Sequence, residues 1–498
     1  SAAAVEEAMM TAAELLLLAR ECGATAIRWH RCYEPEGARV DAVVEKAIRE
    51  AGLQGGSVAG HLLYEPKGVS LPGGFHGGHW GTLMPFLKAC ERSGKPPARP
   101  AASPAKLCVP PKWPRCSTLS ELELANRPVR EDGKLGWDWG ASVMKHWIAS
   151  EKEAVRRMHT FLSGPGLRSY ESRRSRADIA DSVSTLSPYL RFGQLSVRQL
   201  YHAIRGTGMP REDIKTFSRR LHWRDLAAFQ LSCFPEMAWK PIRAHYSSHG
   251  WSTDETALHA WQRGRTGYPI VDAGMRCLWA TGWMHQSVRM VVASFLVEYL
   301  GISWVEGLHW FHDTLVDADL SINSMMWQNA GRSGIDQWNF VLSPETGSQD
   351  PTGEYVRRWI PELANLPNKH IHTPWKAPPA VLSAAGVELG VTYPERIVAN
   401  LDDARSITVA RLLKMRSEAL EYNDAGGYDL VTLPDGKQTR VFTKQEFRLT
   451  GDGRPKTSPP ASIYRGRGAG RGSKAGRGRG ATRKDKDDGL YSIKKYMR

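Results

Sequence analysis

The sequence predicts an α/β part, a large all-α part and a basic, disordered C-terminal tail. Three observations lead to this prediction. Residues 1–92 alternate helical and strand patterns, residues 142–400 show almost only helical periodicity, and residues 451–498 contain very few apolar side chains. Alternating helices and strands are typical of a parallel sheet with crossover helices, whereas a sustained 3.6-residue period indicates an all-α domain.

The first 92 residues contain the predicted α/β part. Apolar residues at helical spacing fill 12–22 and 40–51, and a glycine follows each segment. The short segments ATAIRW at 24–29 and SVAGHLLYE at 57–65 follow these helices and predict strands. Because two strands are few for a Rossmann-like parallel sheet, we expect this part to be incomplete at its N-terminus.

Composition changes divide the rest of the chain. Residues 93–141 are rich in proline, glycine and serine and predict an interdomain linker. Residues 142–400 form the predicted helical domain. Residues 401–450 form a C-terminal extension that starts with a predicted helix at 401–422.

Cysteine usage and hydropathy exclude several classes of protein. The seven cysteines are scattered, with no CxxC pair and no Cys/His comb, which predicts reduced thiols and no metal site. No run approaches the roughly 18 apolar residues of a membrane span. We therefore expect an intracellular protein in a reducing compartment, with the nucleus as first choice and an organelle as the alternative.

The net charge of +15 is concentrated in the tail. Residues 451–498 contain 14 Lys/Arg and 4 Asp/Glu, or +10, which leaves +5 for the rest. RG repeats in this tail bind single-stranded nucleic acid through charge and arginine stacking, so we count such nucleic acid as a candidate partner. The alternative is a solubilising or sorting tail. The charge of the remaining chain by itself predicts no nucleic-acid binding.

The segment Trp261–Gly334 combines tryptophans with charged residues inside apolar runs. Most of the 18 tryptophans lie in Trp223–Trp375, and ordinary core packing accounts for some of them. Arg289 and Asp317 both lie within apolar sequence, which predicts a desolvated ion pair. This combination indicates a pocket for a large, flat, phosphate-bearing cofactor. A structural ion pair in an ordinary core is the alternative.

A run of hydroxyl side chains precedes one of the predicted helices. Ser184, Thr185 and Ser187 surround Leu186 just before Pro188. Hydroxyl groups together with the amides of a helix N-terminus suit a pyrophosphate. The alternative is an ordinary helix-capping sequence.

Several long, ordered motifs resemble the cryptochrome/photolyase family of FAD flavoproteins. They are STLSPYLRFGQLSVRQLY at 184–201, WRD at 223–225, WQRGRTGYPIVDAGMRCLWATGWMHQSVRMVVASFLV at 261–297, WVEGLHWFHDTLVDADL at 304–320, MMWQNAG at 325–331 and GEYVRRWIPELANLP at 353–367. The last block and the residues after it resemble most the plant-cryptochrome and class I photolyase branches. The resemblance covers about residues 10–400 and implies an α/β antenna domain, a long linker and a helical FAD-binding domain.

The resemblance also implies the residues that hold and serve the cofactor. Matching positions that would contact FAD are Tyr170, Ser184, Thr185, Leu186, Ser187, Phe217, Arg224, Trp283, Gln286, Arg289, Asp317, Asp319 and Asn323. Trp327, Trp304 and Trp251 match a three-tryptophan electron relay. Asn323 would face the redox-active central nitrogen of the flavin. Plant cryptochromes carry an acidic Asp there, whereas photolyases carry Asn, which has no proton to give as an acid.

Positions that contact the DNA lesion in photolyases show a different pattern. Photolyases flip the damaged bases into the active site. The matching residues are Arg220, Trp223, Met290 and Asn329, together with Gln286 and Ser287. Trp223 and Met290 agree with the family. Arg220 replaces a glutamate and Asn329 replaces a second stacking tryptophan, and each loss is expected to weaken dimer recognition by roughly 1–3 kcal/mol.

These observations favour a FAD-binding blue-light photoreceptor of the cryptochrome type, with its flavin photoreduced through the tryptophan relay. The alternative, which Asn323 favours, is a DNA photolyase, a carbon–carbon lyase that repairs UV-induced pyrimidine dimers by light-driven electron transfer from reduced FAD. A light-inert nucleic-acid-binding scaffold is the second alternative, and the intact relay counts against it. DNA and a signalling protein are candidate partners. Glu34 matches a position that binds a folate or deazaflavin antenna, but we assign no second chromophore.

Overall fold

The N-terminal part is a small α/β unit. The computed structural model describes residues 2–71, 79–94, 96–110, 112–124, 133, 136, 138–336 and 342–456. Strands β1 (Ala26–His30) and β2 (Gln54–Val58) pair in parallel. Helices α1 (Ala2–Cys22) and α2 (Pro35–Glu50) pack against each other beside this sheet. The predicted α/β unit is confirmed.

Two elements of this unit differ from the sequence prediction. Helix α1 starts at residue 2 rather than 12, because the preceding alanine-rich residues are strong helix formers. The strand predicted at 57–65 is wrong for most of its length, since β2 ends at Val58. The backbone N–H groups of Leu63 and Tyr64 instead donate to the Asp225 carboxylate at 3.1 Å each. The apolar run therefore belongs to a buried loop, whose amides bind a side chain rather than a strand.

The helical domain follows a segment without regular structure. Helix α3 (Leu83–Arg92) ends the first part, and the described residues from 93 to 139 contain neither helix nor strand. The remaining helices before the extension are α4 (Gly140–Met144), α5 (Glu151–Ser163), α6 (Pro165–Arg168), α7 (Tyr170–Arg173), α8 (Ser187–Arg191), α9 (Val197–Gly206), α10 (Arg211–Cys233), α11 (Glu255–Gln262), α12 (Pro269–Thr281), α13 (Gln286–Ser294), α14 (Trp304–Thr314), α15 (Leu320–Ala330), α16 (Glu354–Trp359) and α17 (Pro379–Ala384).

Short helical turns join several of these helices. Helix α13 continues directly into a π-helical turn at Phe295–Tyr299. The 3₁₀ turns lie at Pro66–Gly68, Ala244–Ser248, Pro361–Leu363, Pro374–Lys376, Leu420–Tyr422 and Gln445–Phe447. Among the described residues, no helix combines the length and the apolar character that a bilayer crossing needs.

Helices α12 to α15 enclose the main core, and α10 joins this core to the α/β unit. Trp261, Val288, Phe295 and Trp327 are buried in one apolar cluster within the segment that the sequence singled out. Helix α10 packs along α15 and also contacts α3, α7 and α9. The predicted large helical domain is therefore confirmed, with α10 as the element that positions its neighbours.

The C-terminal extension is built around the buried carboxylate of Asp429. It consists of α18 (Leu401–Ser417) and an antiparallel pair, β3 (Leu430–Thr432) and β4 (Gln438–Arg440), which the sequence did not predict. Asp429 accepts bonds from Arg243 at 2.5 Å and Arg416 at 2.6 Å, and its other oxygen contacts are His245 and Tyr246, both at 3.2 Å. Arg243 also donates to the carbonyl of Gly334 at 2.8 Å. Asp429 therefore anchors the extension to the segment that follows α15.

The last described residues form a turn. Thr450 donates its N–H to the carbonyl of Arg454 at 2.8 Å, and Lys456 donates to that of Arg448 at 2.9 Å. The remainder of the predicted RG-rich tail, 457–498, lies outside the described residues. The predicted domain boundaries at 92, 141, 400 and 450 remain predictions.

Replacing Asp429 by Ala should destabilise the protein strongly. The substitution leaves Arg243 and Arg416 buried without their carboxylate, and breaking a buried pair costs about 3–5 kcal/mol. Chemical denaturation at pH 7 measures the change in the free energy of unfolding. The matched control is Asp435→Ala, because Asp435 is exposed and lies in the same extension. Equal unfolding free energies for the two variants would contradict this account.

The Asp429 carboxylate is expected to make the stability of the protein depend on pH. Burial alone would raise the pKa of Asp429, but the charge of Arg243, the hydrogen bond from His245 and the charge of Arg416 lower it well below its usual value. A depressed folded-state pKa stabilises the fold above the unfolded value of about 3.9, and this contribution is lost as the pH falls through the folded-state pKa. The difference in stability between wild type and Asp429→Ala should therefore shrink on acidification.

Candidate functional site

The predicted phosphate-binding run lies at the start of α8. Thr185 has a positive φ of 50°, an uncommon conformation for a β-branched residue and one that often marks functional sites. The indole N–H of Trp283 donates to Ser187 Oγ at 3.4 Å, and Arg157 Nη1 donates to Thr185 Oγ1 at 3.4 Å. The structure thus brings two predicted contacts, Ser187 and Trp283, together across 96 residues of sequence.

An aromatic wall stands close to this run. Tyr170 and Phe217 pack edge to face with ring centroids 5.1 Å apart, and Phe161 lies 4.9 Å from Phe217. All three belong to a cluster of buried apolar residues that also contains Leu186. Helices α5, α7 and α10 and the start of α8 therefore bring Tyr170, Phe217 and Leu186 into one apolar cluster, although Phe161 was not among the predicted contacts.

The predicted ion pair between Arg289 and Asp317 is present. Arg289 Nη2 lies 3.1 Å and 2.9 Å from the two carboxylate oxygens of Asp317, and Arg289 Nε donates to the carbonyl of Met284 at 2.8 Å. The side chains of Arg289 and Asp317 are 18% and 5% exposed. The pair joins α13 to the loop before α15 and creates a fixed, largely desolvated dipole.

Asp319 and Arg224 both lie close to the imidazole of His61, a residue that the sequence did not indicate. Asp319 caps α15 by accepting the N–H of Ile322 at 3.0 Å, and His61 Nε2 lies 3.9 Å from its carboxylate. Arg224 Nη2 donates to the same His61 Nε2 at 3.0 Å. Burial would raise the pKa of Asp319, but its contact with His61, the charge of Arg224 and the hydrogen bonds from Ser321 and Ile322 hold it far below its usual value. Asp319 is therefore a carboxylate at any ordinary pH.

Asn323 is buried between α14 and α15. Its side chain is 8% exposed, and Nδ2 donates to the carbonyl of Leu308 at 3.0 Å. This bond fixes the amide by its nitrogen, which leaves the oxygen as an acceptor for a ligand. Gln286, by contrast, is a half-buried residue at the first position of α13.

The three predicted relay tryptophans follow a gradient of burial. Trp327 and Trp304 are 2% and 3% exposed, whereas Trp251 is half-buried and packs on the edge of the same core. A Cβ on Gly331 would meet the Trp304 ring at 2.2 Å, and Gly331 lies one turn after Trp327 in the chain. The N–H of Ser252 donates to the carbonyl of Gly301 at 2.7 Å, which places Trp251 beside the start of α14. Trp251 is therefore the outermost of the three rings, and the relay remains a prediction.

A second row of aromatic rings runs from Trp327 to the surface, and the sequence analysis missed it. Phe311 lies 5.0 Å from Trp327, and its neighbour Trp310 stacks on Trp279 with centroids 5.9 Å apart. Trp279 stacks in turn on Trp139 at 5.9 Å. Trp139 and Trp279 are 46% and 43% exposed. Trp139 precedes α4, Trp279 lies on α12, and Trp310 and Phe311 lie on α14. Their spacing in the sequence therefore does not show that they lie close together.

The predicted lesion-contacting residues have separate surroundings in the structure. Trp223 packs against a core cluster, and Met290 is half-buried on α13. Asn329 is only 1% exposed, and its Oδ1 accepts the N–H of Asp336 at 3.2 Å. Arg220 is half-buried; after burial itself, its charge is the largest cause that lowers the pKa of Arg174. Ser287 Oγ donates to the carbonyl of Ser175 at 2.9 Å.

The chemistry of this site fits a planar, phosphate-bearing group. The strained hydroxyl-rich turn at Thr185 offers amides and hydroxyls for phosphates, and the Arg289–Asp317 pair, Asp319 and Asn323 offer polar atoms for a flat ring system. Among the described residues, no three His, Cys, Asp or Glu side chains are grouped closely enough to hold a metal ion. The site is therefore built for an organic cofactor.

Comparisons with known proteins agree with the site. A family model described as the FAD binding domain of DNA photolyase matches residues 217–413, and one described as DNA photolyase matches residues 5–105. The deoxyribodipyrimidine photo-lyase of Agrobacterium fabrum (strain C58 / ATCC 33970) is 39% identical over 387 residues, covering 76% of this chain and 78% of that protein. Cryptochrome-1 of Arabidopsis thaliana is 34% identical over 407 residues, covering 79% of this chain but only 58% of that protein.

A solved structure shows the same architecture. A bacterial class III photolyase from Agrobacterium tumefaciens is similar with a TM-score of 0.74 and 37% identity, over 81% of this chain and 82% of that chain. A cryptochrome from Synechocystis sp. PCC6803 is similar with a TM-score of 0.62 and 26% identity, over 79% of this chain and 80% of that chain. The chain therefore belongs to the photolyase/cryptochrome family and contains its FAD-binding domain.

Proposed function

We propose that this protein is a blue-light photoreceptor of the cryptochrome type, in which the bound flavin is photoreduced through tryptophans. The observation that carries this choice over DNA repair is the burial of Asn329. Its amide is enclosed in the turn after α15, and a Cβ on Gly334 would lie 2.3 Å from Asn329 Oδ1. The position that would stack a second ring on a DNA lesion therefore serves the fold instead.

The side chains around the flavin site have separate tasks in this proposal. FAD, when bound, supplies blue-light absorption and one-electron redox chemistry. Arg289 and Asp317 fix the charge at one side of the site, while Thr185 and its neighbouring hydroxyls hold the phosphates. Asn323 presents an amide oxygen and has no acidic proton, so it holds its ligand by hydrogen bonding alone.

Trp327 is the proposed inner electron donor, because it is buried one turn after Asn323 on α15. Trp304 and Trp251 then carry the oxidising equivalent outward to the half-exposed ring of Trp251. We propose that Trp310 and Trp279 offer a second outlet, because they stack on each other towards the surface and Phe311, the chain neighbour of Trp310, packs edge to face against Trp327. Two outlets would make light-driven reduction tolerant of damage to either one.

The electrostatics above the site also favour a photoreceptor. Arg220 stands close enough to Arg174 for the two positive charges to repel, where a photolyase would place an acceptor carboxylate. Ser287 is occupied by its bond to the carbonyl of Ser175. A neutral pyrimidine dimer would thus meet donors without the matching acceptor, which leaves its own N–H groups unsatisfied.

A DNA photolyase is the second candidate, and specific features favour it. Asn323 follows the photolyase pattern, and Trp223 supplies one stacking ring. The relative from Agrobacterium fabrum, 39% identical, is named a deoxyribodipyrimidine photo-lyase. In this alternative the tryptophan rows would serve to keep the cofactor reduced, and DNA would be the substrate.

Partners and location remain predictions. DNA is a candidate partner in either function, and the RG-rich tail is a candidate contact for single-stranded nucleic acid. A signalling protein is expected for the photoreceptor. The nucleus, or an organelle as the alternative, follows only from the basic tail and the reduced thiols. The light-inert scaffold is the least supported alternative, since it leaves the buried tryptophans without a role.

The purified full chain should be yellow and should be photoreduced by blue light when a thiol is present. Trp327→Phe should slow this photoreduction on the order of tenfold or more, about 1.4 kcal/mol in activation free energy, because phenylalanine is a poorer electron donor. Flavin absorption recorded at intervals during blue-light illumination measures the photoreduction rate. Trp359→Phe is the matched control, since Trp359 packs against the same core. A folded, colourless protein, or an unchanged Trp327→Phe rate, would refute the proposal.

Removing one outer tryptophan should cost less than removing two. Trp251→Phe should keep a substantial part of the photoreduction rate, because the Trp310–Trp279 stack remains. The double variant Trp251→Phe/Trp279→Phe should approach the slow rate of Trp327→Phe. Exposed Trp239, replaced by Phe, is the control. If the double variant is no slower than Trp251→Phe, the second outlet does not operate.

Repair of dimer-containing DNA separates the two candidate functions. We expect little or no reversal of pyrimidine dimers in single- or double-stranded oligonucleotides under blue light. Arg220→Glu should restore an acceptor and strengthen dimer binding by about 1–3 kcal/mol, roughly tenfold or more. Chromatography of the oligonucleotides measures repair, and undamaged DNA is the control. Multiple turnovers by the wild-type protein would establish the photolyase instead.

A further inference from the structure

His61 brings the α/β unit into the flavin site. It lies between β2 and the 3₁₀ turn at Pro66–Gly68. Its Nε2 is 3.0 Å from Arg224 Nη2 and 3.9 Å from Asp319 Oδ2. The side chains of His61 and Asp319 are 23% and 14% exposed, so the contact is shielded from bulk water. One imidazole nitrogen therefore faces a cation and an anion, each of them a predicted flavin contact.

The chemistry of these groups fixes the proton on His61. A guanidinium only donates hydrogen bonds, so the bond from Arg224 requires an unprotonated Nε2. The imidazole is then neutral, with its proton on Nδ1. In that form Nε2 has nothing to donate to Asp319, which agrees with the longer separation of 3.9 Å.

The surroundings of His61 hold it in place. The ring of Tyr33 stacks at 6.3 Å, and the Tyr33 hydroxyl donates to Glu65 at 2.5 Å. Arg31 pairs with Glu65 at 2.6 Å. The other charged groups near this loop are Asp225, whose carboxylate accepts the N–H groups of residues 63 and 64, and Arg224 and Asp319 themselves. Glu65 is already satisfied by two donors, so Arg224 and Asp319 are the groups that compete for His61 Nε2.

Arg191 also connects the α/β unit to the segment at 317–319, which contains Asp317 and Asp319. Arg191 Nε donates to the carbonyl of Ala318 at 2.5 Å, and Arg191 Nη2 pairs with Glu34 at 3.1 Å. Glu34 belongs to the α/β unit, and Ala318 lies between Asp317 and Asp319. The unit therefore holds this segment at two points, through Arg191 and through His61. A change at either point would move carboxylates that the flavin is expected to meet.

We propose that His61 is a positioning residue of the flavin site, which accepts a hydrogen bond from the Arg224 guanidinium and so holds it beside Asp319. Flavin binding therefore depends on a residue of the α/β unit. The inference rests on the proposed function, because it takes Arg224 and Asp319 as flavin contacts. It goes beyond that function by assigning a role in the flavin site to the loop that follows β2.

Three variants of the full-length holoprotein test the proposal. His61→Leu removes the acceptor and should weaken FAD binding about tenfold, the effect of an unsatisfied buried donor. His61→Gln places an amide oxygen near the position of Nε2, so it should largely rescue FAD binding. His159→Gln is the matched control, because His159 is exposed on α5. FAD affinity is measured by flavin fluorescence during titration of the apoprotein, and circular dichroism checks folding.

Rescue by the conservative variant separates positioning from a merely structural role. His61→Gln keeps a hydrogen-bond acceptor for Arg224, so its FAD affinity and the absorption spectrum of its bound flavin should stay close to those of wild type and His159→Gln. If His61→Leu does not fold, the FAD affinity of His61→Gln relative to His159→Gln decides alone.

Two outcomes identify what has failed. A wild-type protein that binds FAD and is photoreduced, together with a folded His61→Gln variant that binds FAD no better than His61→Leu, would overturn the role of His61 and leave the proposed function intact. Unchanged FAD affinity in a folded His61→Leu variant would do the same. Failure of the wild-type protein to bind FAD would instead defeat the proposed function itself.

Discussion

The buried carboxylate of Asp225 is the constraint on which the site depends. It is fully buried on α10 and accepts the N–H groups of Leu63 and Tyr64, and no side chain in the described part of the chain forms an ion pair with it. Burial raises its pKa to about 7, against the lowering effect of these hydrogen bonds and of Arg224. Such a group costs stability when it is charged, and a raised folded-state pKa means that this cost grows as the pH rises from about 4 towards 7. The Asp225 carboxylate binds the loop at 61–65 to α10. This contact brings His61 to Arg224 on the same helix.

Three buried carboxylates, those of Asp317, Asp319 and Asp429, join elements of this protein, and each has different hydrogen-bonding or charged partners. Arg289 and Asp317 form a simple pair, Asp319 combines a helix cap with a cation nearby, and Asp429 is surrounded by two arginines. Breaking such a pair exposes an uncompensated charge, so each one specifies a single arrangement of the elements it joins. The first two line the site and the third lies in the extension. Buried carboxylates with charged partners therefore position side chains of the candidate site and also attach the C-terminal extension.

Local sequence patterns predicted the elements that depend on local physics. Helical periodicity predicted the large helical domain, and the positions of Arg289 and Asp317 in apolar runs predicted their pairing, which the structure confirms. Long motifs identified the site as a whole through resemblance. What failed depends on contacts between distant residues. The loop at 59–65 has the apolar pattern of a strand, but its amides are used by Asp225, 162 residues away from Leu63. His61, Asp429 and the row from Phe311 to Trp139 were missed for the same reason.

Helix α15 explains why its sequence points to two functions at once. Asn323 and Trp327 are four residues apart and face α14, where they meet the carbonyl of Leu308 and the backbone of Gly307. Gln328 and Asn329 face the opposite way, towards the carbonyls of Met237 and Lys240 and the turn at 334–336. The two faces share no hydrogen bond, so residues for photochemistry can be kept while those for lesion binding change. Asn323 and Asn329 therefore do not contradict each other, because they belong to different faces of one helix and have different hydrogen-bond partners.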